Sequence, residues 1–222
     1  EYGNQVRAAE VSDPVTVSRD DAAIVVSSGP LKIGWSRRDG SVVDGIFLNG
    51  RKVVDRSEAY YVTSKGERYS TLGADDELTV DVEMAGPIRA VVRSRGWYKN
   101  GQGDRACAFT RRIYVYRGLP FIRLFTTWTV TVDTNACKFR DVALRFPLSG
   151  TPPRAGSIVR LAEARNQGVM IAGAERKETA DLQDWITAGE GRQAVTLSCY
   201  EMSRQWPAAL EWTPKDIVFH AY

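Results

Sequence analysis

The residues with the most chemical potential in this chain are arginines and aromatic rings set two positions apart. Arg112, Tyr114 and Tyr116 alternate with Ile113 and Val115; after the turn Arg117-Gly118-Leu119-Pro120, Phe121, Arg123 and Phe125 alternate with Ile122 and Leu124. Successive side chains of a strand point to opposite faces. A hairpin that sets Tyr116 opposite Phe121 therefore sets Tyr114 opposite Arg123 and Arg112 opposite Phe125. On its other face Val115 meets Ile122, Ile113 meets Leu124 and Phe109 meets Trp128. That second face reads as apolar and belongs in a core. Upstream, Arg89, Val91, Arg93, Arg95 and Trp97 share one side of a strand whose other side carries Ile88, Ala90 and Val92. Downstream, Asp141 and Arg145 oppose Val142, Leu144 and Phe146. If these strands are neighbours, one broad surface results.

Such a surface has a definite chemistry. The planar guanidinium fork pairs with carboxylates, and flat rings lie against the apolar faces of pyranoses. Arg89, Arg93, Trp97, Arg112, Tyr114, Tyr116 and Arg123 together suit an acidic, uronate-containing polysaccharide or oligosaccharide. Elimination beside a uronate needs a base, an acid and a neutraliser of the carboxylate. Tyr114, Tyr116, Arg112 and Arg123 are of the right types, but the pattern does not assign catalytic roles. A plainer reading competes with this one. Outer sheet faces are ordinarily polar, and these arginines have Glu77, Glu83 and Asp141 as candidate partners, or a second domain as a cover. Glu201, Arg204 and Trp206 form a further candidate sugar subsite.

Other chemistries are poorly supplied. A serine hydrolase needs a histidine, and the chain has only His220, on an expected terminal strand. The three cysteines, Cys107, Cys137 and Cys199, lack metal-ligand spacing. One disulfide among them is possible, with no pairing implied. Gly101-Gln102-Gly103-Asp104 lacks the Lys-Ser/Thr and helix of a phosphate loop. Asp75-Asp76-Glu77 lacks the EF-hand pattern. No cofactor and no metal are expected.

The elements that would position these residues are strands. Period-two alternation predicts strands over Val15–Ser18, Ala23–Ser28, Leu31–Ser36, Val42–Leu48, Arg51–Val54, Ala59–Thr63 and Arg68–Thr71. Five more follow at Glu77–Met84, Ile88–Tyr98, Ala106–Tyr116, Phe121–Val132 and Asp141–Leu148. Asp39-Gly40 and Asn49-Gly50 read as tight hairpin turns. After a Pro/Gly-containing stretch over 149–156, strands are expected over Ile158–Ala162, Gly168–Gly173, Asp184–Ala188, Gln193–Tyr200, Ala209–Thr213 and Ile217–Tyr222. The expected fold is all-β, a large antiparallel β-sandwich with few or no helices. It would form a single sandwich-type domain over 1–222, with a possible subdivision near 72–86.

Composition narrows the partners. Thirty basic against 27 acidic residues give a net charge of +3, too balanced for a nucleic-acid footprint. Basic residues are skewed to 23 Arg against 7 Lys, which reflects either coding bias or a use for bidentate contacts. No apolar run reaches the length of a membrane span. The chain opens at Glu1 and closes on an apolar strand-like run, so it reads as a segment of something larger.

The stretch Gly86-Pro87-Ile88-Arg89-Ala90-Val91-Val92-Arg93, with Arg111-Arg112-Ile113-Tyr114-Val115-Tyr116-Arg117-Gly118-Leu119-Pro120-Phe121-Ile122-Arg123, resembles the β-sheet region of exo-rhamnogalacturonan-lyase-like proteins. More loosely it resembles the galactose-mutarotase-like super-sandwich. Gly29–Ile33, Leu48–Arg51 and Arg204–Leu210 resemble further parts of that family. The resemblance implies an acidic-glycan context, a secreted or periplasmic location and an additional domain beside this one. A mutarotase would be expected to use a His and Glu pair, which a lone terminal histidine argues against. Three functions are thus in play: part of a polysaccharide lyase, a non-catalytic carbohydrate-binding module, or a structural or interaction domain.

Overall fold

The computed structural model describes residues 10–149, 168–172, 175–179, 185–188, 195–200, 208–213 and 215–221. Its elements are β1 (Thr16–Arg19), β2 (Ala23–Ser28), β3 (Leu31–Ser36), β4 (Gly45–Leu48), β5 (Arg51–Val54), β6 (Glu58–Thr63), β7 (Arg68–Ser70), β8 (Thr79–Ala85) and β9 (Arg89–Lys99). They continue as β10 (Arg105–Tyr116), β11 (Ile122–Thr129), β12 (Phe139–Pro147), β13 (Gly168–Ala172), β14 (Glu175–Thr179), β15 (Trp185–Ala188), β16 (Val195–Ser198), β17 (Ala209–Trp212) and β18 (Asp216–His220). No helix occurs among the described residues. The expected strand over Ile158–Ala162 and the subsite Glu201, Arg204 and Trp206 lie outside them.

β1 to β5 form a five-stranded antiparallel meander. An eleven-stranded sheet runs β11-β10-β9-β7-β6-β12-β18-β17-β13-β14, with β8 paired to β9. All its pairings are antiparallel except β13 with β17. The two sheets pack through one apolar cluster. The meander contributes Ile24, Val26, Ile33 and Trp35; the large sheet contributes Tyr61, Val92, Tyr98, Phe109, Ile113, Val115 and Val142. These positions alternate along their strands, so the pleat delivers one face to the core. The antiparallel sandwich expected from the sequence is what the chain forms.

Several local expectations are corrected. Asn49-Gly50 makes the tight turn, with φ of 50° and 78°. Asp39-Gly40 does not, because β3 and β4 are joined by a longer segment over 37–44. The strand expected from Val42 begins only at Gly45. Val42 and Val43 are fully buried all the same, their backbone paired with Ser57. The hairpin's core face is also less apolar than expected. Arg111 lies between Phe109 and Ile113 on it, with no exposed surface. Its Nη1 donates to the carbonyls of Gly40 (2.9 Å) and Ser41 (3.3 Å), and its guanidinium lies 3.8 Å from the Phe109 ring centre. Burial pulls its pKa down to about 10, so it stays charged at neutral pH.

The β10–β11 turn is pinned to the meander by one hydroxyl. Ser28 Oγ donates to the Tyr116 carbonyl (2.7 Å) and accepts from the Gly118 amide (2.9 Å). This fixes the end of the hairpin that carries Tyr114, Tyr116 and Arg123.

Candidate functional site

The hairpin register is the one that the alternation predicts. Arg112 pairs with Phe125, Tyr114 with Arg123, Val115 with Ile122, Ile113 with Leu124 and Phe109 with Trp128. On the other side of β10, Arg112 pairs with Arg93, Tyr114 with Val91 and Tyr116 with Arg89. Arg89, Arg93, Arg112, Tyr114, Tyr116 and Arg123 therefore do share the outer face. Tyr114 and Tyr116 are near parallel with centres 6.5 Å apart, Phe125 meets Tyr114 edge-on at 5.5 Å, and Phe121 lies 5.7 Å from Tyr116.

The arginines divide into two kinds. Arg112 grips Glu83 through two bonds of 2.7 and 3.0 Å, and Arg93 reaches Glu83 at 3.0 Å and Asp81 at 3.3 Å. Hydrogen bonds from Arg112, then the charges of both arginines, hold Glu83 below the usual carboxylate range. This is the plainer reading realised, with the acids supplied by β8. Arg89 and Arg123 have no carboxylate partner among the described residues. Arg89 touches Met84 Sδ at 3.2 Å and lies 5.7 Å from the Tyr114 ring centre; Arg123 lies 5.6 Å from that of Phe125.

Trp97 lies on the same face at the far end of β9, opposite Ala108. Its indole donates to Glu77 (2.8 Å), next to Arg105, which bridges Asp75, Asp76 and Glu77. Asp75 is buried against this guanidinium, while Asp76 and Glu77 pair with it and stay open to solvent. The expectation that Asp141 and Arg145 extend the hairpin surface is also corrected. β12 pairs with β6 and β18, several strands away, because β9, β7 and β6 intervene.

At that second place the same outer face holds a cluster the sequence reading missed. Glu58 and Tyr60 of β6, Arg68 of β7, Asp141 and Arg145 of β12, Asp216 and His220 of β18 and Glu211 of β17 come together. Arg145 forms a two-pronged pair with Asp216, both bonds 3.0 Å, and approaches Glu58 at 3.5 Å. Glu58 also accepts from Arg68 (2.7 Å) and Ser70 (2.8 Å). Arg68 stacks over Tyr60, 3.7 Å from its ring centre. Burial, then the charge of Asp141, pushes the Tyr60 hydroxyl up to about 12, with Arg68 acting the other way. His220 lies between two acids, Nδ1 2.8 Å from Asp141 and Nε2 3.0 Å from Glu211. An open cavity of about 550 Å³ lies over Glu58, Tyr60, Arg68, Arg145, Glu211 and Asp216 and is lined also by Thr213 and Val218, with His220 and Asp141 behind Glu211.

The spacing that would have revealed the cluster is present. Glu58 and Tyr60, Asp141 and Arg145, and Asp216 and His220 each stand an even number of positions apart, so each pair shares a face. What single-strand spacing does not contain is which strands lie side by side.

Burial pushes the His220 pKa down, but its hydrogen bonds and charge interactions with Asp141 and Glu211 push it up further, for a net rise above 6.5. A raised folded pKa gives stability that is fully present below the unfolded value near 6.5 and is lost as pH climbs through the folded value. We therefore expect the stability gap between the parent chain and His220→Gln to be widest just below pH 6.5 and to narrow in alkali. Urea midpoints measured across pH check this; a gap that is flat or widens with pH would contradict it.

The fold and this two-part polar face define a β-sandwich domain with a single very wide sheet. The chain matches the family described as the PcRGLX-like protein central beta sandwich domain over residues 15–153, and it belongs to that rhamnogalacturonan-lyase-like family. No curated protein matches it.

Proposed function

We propose that this domain contacts an acidic, uronate-containing glycan through the outer face of β9 to β11, as the β-sandwich module of a polysaccharide-lyase-like protein. The observation that carries the reading is the state of Arg89 and Arg123. They stand beside the near-parallel rings of Tyr114 and Tyr116 and the edge-on ring of Phe125, without a carboxylate among the described residues. A guanidinium next to an exposed ring is equipped for a uronate: the fork takes the carboxylate and the ring takes the sugar's apolar side. Arg93 and Arg112, tied to Glu83, shape the surface and keep spare N–H groups for it. Secretion or export to the periplasm, and a neighbouring domain that supplies chemistry, belong to the same proposal.

Affinity electrophoresis through gels containing pectins, alginates or glycosaminoglycans tests it. Arg123→Ala should weaken retardation about tenfold, the equivalent of one lost charge-assisted hydrogen bond. Arg112→Ala should weaken it less, because Arg112 already serves Glu83. Equal retardation of the parent, Arg123→Ala and Arg89→Ala on every gel would remove this surface from consideration. An ultraviolet assay for unsaturated uronate products separates a lyase from a binding module.

A second reading has one observation in its favour. Ile88, Leu119 and Phe121 are 62%, 42% and 51% exposed around the hairpin tip. An apolar tip of that kind suits a protein neighbour, and the domain would then brace a partner rather than hold glycan.

A further inference from the structure

The cavity over β6, β12, β17 and β18 is not used by the surface just proposed, and its chemistry differs. We propose that it is a binding site for a neutral, hydroxyl-rich sugar unit. The argument begins with charge. Among the described residues the network around the cavity contains Glu58, Asp141, Glu211 and Asp216 against Arg68, Arg145 and one imidazole, so even with His220 protonated the acids are in excess. A uronate brought here would meet more negative than positive groups. A hydroxyl would not, because it donates to a carboxylate and accepts from a guanidinium.

Donors and acceptors both line the opening. Asp216 and Glu58 are held by Arg145 and Arg68 but keep lone pairs, since a carboxylate accepts at about four sites. Arg68 and Arg145 are 45% and 42% exposed and keep N–H groups free to donate. Thr213 Oγ1 accepts from the Asp216 and Lys215 amides and still has its own proton to give. Val218 supplies an apolar floor suited to the C–H face of a pyranose ring. Vicinal hydroxyls are matched by this mixture of acids and guanidiniums, whereas a metal ion would need the acids free of arginine. Among the described residues no group of acids, histidines and cysteines has that arrangement. The cavity's 550 Å³ falls within the roughly 300–1,000 Å³ usual for small-molecule sites.

His220 is the only histidine in the chain, and it bonds Glu211 on the cavity wall. Its imidazole resonances are therefore an unambiguous reporter. The experiment is a titration of the whole chain, followed by proton–nitrogen correlation of the His220 ring. Methyl glycosides of neutral hexoses, the matching methyl uronates, an amino sugar and calcium chloride are added in turn. Saturable shifts with at least one neutral glycoside, and none with the uronates at the same concentrations, are expected. Arg68→Ala should remove the saturation, and its cooperative unfolding in urea, at a midpoint lowered by the lost Glu58 pair, checks that the variant is still folded. No saturable shift with any neutral glycoside would overturn the proposal, and so would saturation by a uronate, the amino sugar or calcium instead. Retardation on acidic-glycan gels is read separately, so the two surfaces succeed or fail independently.

Discussion

Arg111→Ala should be the most damaging single change on the hairpin, costing about 3–5 kcal/mol. Arg111 is fully buried between the sheets and ties β10 to the segment joining β3 and β4. Alanine removes three things together: the bulk filling the core, the face-on contact with Phe109, and the donors that satisfy the Gly40 and Ser41 carbonyls. The empty space adds a cavity penalty to the loss of contacts, and each carbonyl left dry costs about 1–3 kcal/mol. For a chain of this size the melting temperature should fall by roughly 6–20 °C, at about 2–4 °C per kcal/mol. Arg111→Met separates the parts. It restores most of the volume and removes a buried charge, so only the orphaned carbonyls remain and the loss should be about half as large or less. Thermal and urea unfolding of both variants check this. If alanine and methionine cost the same, the orphaned carbonyls alone set the loss and the filling role is refuted.

The second large effect lies at the other end of the same hydrogen bond. A Cβ on Gly40 would sit 2.3 Å from the Thr71 carbonyl oxygen and 3.4 Å from Phe109. Backbone, not a flexible side chain, is in the way. Thr71 has little room to retreat, since its amide donates to the Ala59 carbonyl (2.9 Å) and its hydroxyl accepts from the Ala59 amide (3.3 Å). Gly40→Ala should therefore cost about 2–4 kcal/mol, at or above the upper end for overpacking. It should also loosen the Arg111 contact, so combining Gly40→Ala with Arg111→Ala should cost less than the separate losses added together. Additive losses in a double-mutant cycle would show that the two residues act independently.

Arg111 also shows where reading the sequence stopped. Its odd-numbered position beside Phe109, Ile113 and Val115 assigns it to the core face by pleating alone, so a charged residue inside the sandwich is legible from the spacing. The hairpin register itself was readable because a four-residue turn leaves little freedom in which residue meets which. Glu83 is one of several acids in the sequence that Arg93 and Arg112 could pair with, and only the placement of β8 against β9 selects it. The position of β12 was not readable. Strand neighbours far apart in the chain are chosen by how whole faces cover one another, and no local spacing encodes that. For the same reason the Glu58, Arg145, Asp216 and His220 cluster emerged only from the folded topology, although each of its strands had been recognised.

β18 sits in the middle of the large sheet, between β12 and β17, and its Asp216 lies 71 positions after the Arg145 it grips. On the ribosome, at about 5–20 residues per second, β12 therefore waits roughly 4–14 seconds for the strand that closes its open side. Throughout that interval a row of unsatisfied amides and carbonyls is available to any passing extended peptide. The nascent chain has a vulnerable period built into its wiring, and slowing translation downstream of β12 lengthens it.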